Sequence, residues 1–522
     1  MLVKNFLCQY NDNGRLIMKK HNTFKVVLIT LLVLMLLTWI LPAAYYYSGS
    51  YVDQGRIQMG LFDLFNYPVT AISYFGYIAV FILVVGGFYG VLNKISAYRT
   101  MLDKLTAAFK GKEVVVLSIM MVVIALLTSI CGLQLGLIIF YPMLVSLILL
   151  MGFDKVVAAL TIVGSTMIGI LGTTFGYNNT GILSSILGNE FVDAMLPKCI
   201  LLFLGLVLLI VNTILYIKKH QKSNKKTNVK KVTVKEEKKT TKTKSSKNTK
   251  AAVKEEEVVV VTKDENEDDA YVPASVSGKK HVVWPLVVVL SIIFIILVLA
   301  FISWTGAFGI TAMDEATTAV TGFEVFGFAL FGKLLGTVNA FGSWTIIDMA
   351  VVLMVFMFIL ALIYKVKFDD LLDGFIKGAK RALGPAVIAV MIYTILVITT
   401  YHPFQLVIYK AILGITDGFN VFTTFIVAIL SALFNGDIAY AFQSSLPYLA
   451  SIVTNADNYP IVAVVYQAAY GLTMLVAPTS LILMGMLSYL KVPYSKWFKA
   501  IWKLVLELLV VLLIVFTVLI LI

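Results

Sequence analysis

The chain has 522 residues, of which 60% are hydrophobic and 14% charged, and its mean hydropathy is +0.92. Several apolar runs reach 18 residues or more, which excludes an ordinary soluble domain and predicts an all-α polytopic membrane protein. The formal charge of +13 misleads about partners, because residues 218–250 carry 14 Lys against two Glu, while residues 251–270 carry two Lys against eight acids.

Residues 1–23 are expected as a cytoplasmic N-terminal extension, with Met18 as an alternative start. The run 24–43 has an apolar part too long for a signal peptide and no small-residue cleavage pattern, so it reads as a retained helix. A second helix follows at 74–92, then a loop at 93–112 with five basic residues. Two apolar limbs, 114–130 and 137–152, flank the polar tip CGLQLG (131–136). The next apolar segment, 154–187, is interrupted by TTFGYNNTG (173–181), and a helix at 199–217 closes the first transmembrane repeat, 24–217. Residues 218–280 are charge-blocked and nearly free of aromatics, which predicts a disordered cytoplasmic linker near anionic headgroups rather than a nucleic-acid binder.

The second repeat, 281–522, starts with helix 284–306 and an external interfacial stretch at 307–344. Helices at 345–364 and 382–400 follow, and then limbs 421–434 and 438–453 around the tip Asn435-Gly436-Asp437. The run 461–487 is interrupted by Pro478-Thr479-Ser480, and 503–522 is the last helix. Lys and Arg concentrate before residue 24, in 93–112, in the linker, in 365–381 and in 491–499. By the positive-inside rule these are cytoplasmic, which leaves the C-terminus extracellular in a multi-pass plasma-membrane protein.

The halves share an order of events. Gly132 to Pro142 spans 10 positions and Gly436 to Pro447 spans 11; Pro142 to Thr173 spans 31 and Pro447 to Thr479 spans 32. Limbs of 14–17 residues rise about 21–26 Å, short of a hydrocarbon core of about 30 Å. They therefore read as re-entrant hairpins, 114–152 and 421–453, entering from opposite sides. The expected architecture is a pair of inverted repeats with two re-entrant hairpins and two broken transmembrane helices. Their tips and breaks would meet near the midplane, where transporters build sites from helix ends and unwound backbone.

The candidate substrate- or ion-binding residues are Gln134, Thr173, Thr174, Asn178, Asn179, Asn435, Gly436, Asp437, Pro478, Thr479 and Ser480. Asp437 is a costly carboxylate at that depth and would bind an amine, a cation or a proton; the plainer reading is a turn that reaches water. The Thr and Asn residues would contact substrate, or simply bond between helices. Pro478-Thr479-Ser480 is a break or a repaired kink. No fixed metal site is expected, only transient Na⁺ near Asn435, Asp437 and Thr479. His402, Asp348 and the six tryptophans read as boundary, helix-start and interface residues.

TWILPAAYY (38–46), GGFYGVLNKISAYRTMLDKL (86–105), FYPMLVSLILLMGFD (140–154), FIKGAK (375–380) and PTSLILMGMLSYLKVPYSKWFK (478–499) together resemble the YfcC-like carriers, relatives of the dicarboxylate carrier DcuC in the ion transporter superfamily. The resemblance implies the hairpin and broken-helix fold, and an ion-coupled or exchange carrier. Family members carry Glu-Glu at the first tip where this chain has Gln134-Leu135, and Ser-Gly-Ser-Gly at the second where it has Asn435-Gly436-Asp437. Asn-Pro-Phe at the first break is replaced by Gly176-Tyr177-Asn178.

The expected function is a secondary active transporter, symporter or exchanger, of small charged or zwitterionic metabolites. Amino acids, including basic ones, come first and dicarboxylates or short-chain carboxylates second. No cofactor is expected beyond a coupling Na⁺ or H⁺, and the superfamily analogy suggests a homodimer. A passive channel would need a continuous polar stripe, whereas the polar residues form islands. No nucleophile, zinc or nucleotide motif supports an enzyme.

Overall fold

A computed structural model describes residues 8–10, 16–18, 22–190, 192–236, 271–273, 282–336 and 338–521, with backbone alone at 8–10, 16–18, 178, 221–236 and 334–335. The first half contains α1 (Asn22–Ile40), a strand pair (Ala43–Tyr47 with Ser50–Gly55), α2 (Asp63–Leu92), α3 (Ser96–Ala108), α4 (Glu113–Cys131), α5 (Leu135–Leu150), α6 (Lys155–Leu171), α7 (Tyr177–Leu187) and α8 (Met195–Glu236). The second contains α9 (Trp284–Phe301), α10 (Ile346–Ile363), α11 (Phe368–Tyr401), α12 (Gln405–Leu413), α13 (Val421–Phe434), α14 (Ile438–Ile452), α15 (Tyr459–Met474), α16 (Leu481–Leu490) and α17 (Tyr494–Leu521). Residues 302–336 and 338–345 form short helices, turns and a two-residue strand pair, Glu324–Val325 with Phe328–Ala329.

Among the described residues, eight helices are long and apolar enough to cross a membrane: α1, α2, α4, α8 as far as His220, α9, α10, α11 and α17. The chain is thus an all-α polytopic membrane protein. The first limb of the first hairpin, α4, has 19 residues and falls in this long class, whereas α5, α6, α13 and α16 are shorter.

Several segments differ from the sequence expectation: residues 93–112, read as a loop, hold α3, and the helix read at 74–92 already starts at Asp63. Residues 365–381, read as a loop, are mostly the first half of α11, because FDDLLDGFIKGAKR is amphipathic and opens with two acids at a helix N-terminus. Residues 218–236, read as linker, extend α8, in keeping with the good helix propensity of Lys. Of the break 173–181, only 173–176 is non-helical; Tyr177–Gly181 already belongs to α7. The remaining linker residues, 237–270 and 274–280, lie outside the described residues.

Two expectations about helix ends agree with the geometry. Asp348 takes part in a capping box at the start of α10, accepting the Thr345 amide at 2.7 Å. His402 ends α11, with Nε2 2.8 Å from the Tyr67 hydroxyl and Nδ1 2.7 Å from the Ile57 carbonyl.

The longest apolar pair, α2 and α11, lies antiparallel. At one end small residues bring the backbones together: a Cβ added to Gly90 would lie 2.1 Å from the Gly374 carbonyl oxygen, and one on Gly378 would lie 2.1 Å from that of Gly86. Glycines four apart on both helices are what allow such an approach in lipid. Lys94, just past α2, pairs with Asp373 at 2.9 Å and Asp370 at 3.6 Å on α11, and the hydrogen bond to Asp373 raises its pKa.

Gly378→Ala must force this crossing apart and should cost about 1–3 kcal/mol as overpacking. Gly485→Ala, where no atom lies within 4 Å of the added carbon, should not. Thermal midpoints of the two detergent-purified variants check this; equal midpoints would show that the crossing tolerates separation.

Candidate functional site

Each half brings a hairpin tip against the break of its own interrupted helix. In the first half, α4 ends at Gly132 in the left-handed region (φ 68°), where glycine carries no steric penalty. A Cβ there would meet the Gly176 and Tyr177 backbone at 3.3 Å. In the second half, a Cβ on Gly436 would lie 1.9 Å from the Thr479 carbonyl oxygen, so only glycine fits.

The backbone groups freed by the first break are taken by neighbours. The Ser129 carbonyl accepts the amides of Thr174, Phe175 and Gly176 at 3.0–3.2 Å. The Ser129 hydroxyl donates to the Gly172 carbonyl at 2.8 Å. Gln467, on α15 of the other half, donates to the Thr173 carbonyl at 3.0 Å. At the second break, the Trp497 indole donates to the Leu475 carbonyl at 2.9 Å, and the Tyr494 hydroxyl donates to the Val476 carbonyl. The Pro-Tyr-x-x-Trp ending of the sequence thus has a physical role, because it satisfies carbonyls that an interrupted helix leaves open.

The tips match at residue level. The Thr174 hydroxyl donates to the carbonyl of Ser129, three residues before Gly132, at 3.2 Å. The Thr479 hydroxyl donates to the carbonyl of Leu433, three residues before Gly436, at 3.0 Å. Thr174, rather than Thr173, is therefore the counterpart of Thr479.

A cavity of about 520 Å³ lies where the tips and breaks converge. Gln134, Gly436, Asp437 and Ser480 line it, together with Ile170, Met474, Tyr77, Tyr393 and Tyr470. Phe301, Trp344 and Thr345 form its wall toward the 302–345 segment. Thr173, Thr174, Asn179, Asn435 and Thr479 are buried behind this lining. They support it in a chain: Gln134 donates to Asn179 at 2.6 Å, and Asn179 to the Thr173 hydroxyl at 2.7 Å. Pro478 is half-buried and does not line the cavity, and the Asn178 side chain lies outside the described residues.

Among the described residues, Asp437 is the only charged side chain in that lining, and no Lys, Arg or His joins it. Its Oδ1 caps α14, accepting the amides of Ala439 and Tyr440 at 3.0 and 3.4 Å. Tyr393 donates to Oδ2 at 3.3 Å and stacks on Phe75 with ring centroids 4.5 Å apart. Tyr470 donates to the Gly436 carbonyl at 2.7 Å. The carboxylate is therefore held at both oxygens while it lines the cavity, and Tyr470 fixes the backbone just before it. Asn435 points elsewhere: its Oδ1 accepts the Thr399 hydroxyl at 2.8 Å. Among the described residues no group of three or more His, Cys, Asp or Glu is placed to hold a metal.

Sequence reasoning missed the three tyrosines, because Tyr77, Tyr393 and Tyr470 sit inside apolar runs and look like ordinary core. It also missed Gln467, a fully buried amide in the run VAVVYQAAYG whose Oε1 has no protein partner. A lone Gln in so apolar a run was the available signal.

The family model of the C4-dicarboxylate anaerobic carrier, DcuC, matches residues 21–521. An uncharacterised protein of Haemophilus influenzae is 27% identical over 171 residues, which is 33% of this chain and 34% of that protein, so the match spans about a third of the relative's length. The crystal structure of the Alcanivorax borkumensis YdaH transporter aligns with 95% of this chain and 98% of its own, at 14% identity and a TM-score of 0.39. With a match over nearly the whole chain, the protein belongs to the DcuC family of membrane carriers.

Proposed function

We propose that the protein is a secondary active transporter whose substrate carries a protonated amine, with amino acids, basic ones included, as the leading class. The observation that carries this reading is the charge of the cavity: one carboxylate, Asp437, with no cationic side chain in the lining. An ammonium group placed beside Asp437 would replace lost hydration with a charge-assisted hydrogen bond. Tyr77, Tyr393 and Tyr470 would offer ring faces and hydroxyls around it. The N-terminal amides of α14 and α16 near the cavity are engaged by Asp437 and Ser480, which leaves few donors for a second anionic group.

In this reading the two hairpins are re-entrant and the repeats, 24–217 and 281–522, are inverted. The lysine-rich face is cytoplasmic, and the cavity wall formed by Trp344 and Thr345 is its outer side. Coupling would be to Na⁺, H⁺ or a counter-substrate. The family description favours a second reading, a C4-dicarboxylate carrier. A dicarboxylate would then need a cation bound between itself and Asp437.

Thermal-shift titration of the purified protein separates the two. An amine-bearing substrate at 100 times its Kd should stabilise the fold by about 2.7 kcal/mol, with lysine, arginine and neutral amino acids as probes. Stabilisation by fumarate and succinate alone, dependent on Na⁺, would overturn the amine reading in favour of the second.

Asp437→Asn tests the carboxylate itself. Asn is as good an N-cap as Asp, so the start of α14 should hold while the charge is lost. Counterflow of the amine in proteoliposomes should fall by about tenfold or more, the weight of one charge-assisted bond. Unchanged counterflow at every pH would remove Asp437 from the site.

A further inference from the structure

Three residues of the expected linker, Tyr271, Val272 and Pro273, dock in a crevice on the lysine-rich face. The Ser146 hydroxyl, on α5, donates to the Tyr271 carbonyl at 2.6 Å. The Tyr271 hydroxyl donates to the Tyr489 carbonyl, on α16, at 2.8 Å, and the two rings meet edge to face at 5.5 Å. Lys155, at the start of α6, sits 4.9 Å from the centre of the Tyr271 ring. Arg99, on α3, donates to the Pro273 carbonyl at 2.6 Å. Three elements of the first half and one of the second are thereby tied by a single short segment.

The position of α5 and α16 gives this tie a meaning. At one end both helices line the cavity, through Leu135, within the first tip, and through Leu481 and Ile482. At the other end both grip Tyr271, through Ser146 and Tyr489. Between these ends lies a small apolar slot of about 60 Å³ lined by Tyr141, Pro142, Gly485 and Met486. Nothing lies within 4 Å of a carbon added to Gly485, so the two helices meet loosely there. Separating them is the direct way to extend the cavity toward the lysine-rich face.

We propose that Tyr271–Pro273 is an intramolecular strap that clamps α5 to α16 and keeps the cavity closed on the lysine-rich side. Each contact is modest by itself, so the strap can be released. Covalent attachment to the chain on both sides keeps the segment at high local concentration, so it returns. The role goes beyond the substrate reading and does not depend on it.

The test reads the slot directly. Met486, which is buried, is replaced by Cys in the full-length chain whose Cys8, Cys131 and Cys199 have been changed to Ala. A membrane-impermeant maleimide is applied in turn to each side of sealed vesicles. Tyr271→Ala should speed labelling from one side by about tenfold, the combined weight of a hydrogen bond and a ring contact. Tyr271→Phe, which keeps the ring and loses the hydroxyl bond, should give an intermediate rate. Should Tyr271→Ala not purify as a monodisperse protein, Tyr271→Phe and Ser146→Ala carry the same test. Folded variants that label at the parent rate would overturn the strap, whatever the substrate proves to be.

Discussion

The fold depends on what happens to peptide groups where a helix stops inside an apolar layer. Hydrocarbon offers them no partner, and each unpaired group costs several kcal/mol by order of magnitude, about what a good hydrogen bond gains in such a medium. This protein interrupts two helices and turns two tips at one place. It survives because specific side chains accept or donate at each freed position. Ser129 and Gln467 serve the first break, and Tyr494 and Trp497 serve the second. The cavity is a by-product of this arrangement: helix ends that point at one another leave space between them.

The two halves solve the same problem with the same hydrogen bond and different supporting residues. Thr174 and Thr479 each reach a carbonyl three residues before a tip glycine. Around that shared bond the first half uses neutral amides, Gln134 and Asn179, while the second presents Asp437. Function can diverge at such a place because the pairing that holds the backbone is separate from the side chains that face the open space. The carboxylate serves both ends at once, since its Oδ1 starts α14 and its Oδ2 is held by Tyr393 at the cavity wall.

Much of the layout was legible in the sequence for one reason. Gly, Pro, Asn and Thr are conspicuous inside apolar runs, so the tips at 131–136 and 435–437 and the breaks near 173 and 478 declared themselves. What stayed hidden has physical causes of its own. The register of the first break shifted because Tyr177–Gly181 reads as polar and weakly helical, yet α7 begins there, with the Asn179 and Thr180 amides donating to the Gly176 carbonyl. The first half of α11 reads as a loop in sequence because its charges outweigh its 3.6-residue periodicity. Long-range partners such as Gln467 with Thr173, 294 positions apart, leave no mark in any local window. Tyr393 and Tyr470 look like core because both are buried, and nothing in a local window marks the hydroxyls that reach Asp437 and the Gly436 carbonyl.

The glycine crossing of α2 and α11 carries a mechanical implication. At one end their backbones touch, and at the other the ring of Tyr67 packs on Tyr401 and bonds to His402. Two rods joined at both ends have little freedom to slide or splay. The pair therefore behaves as a single stiff strut, and a shift of either helix would have to carry the other with it.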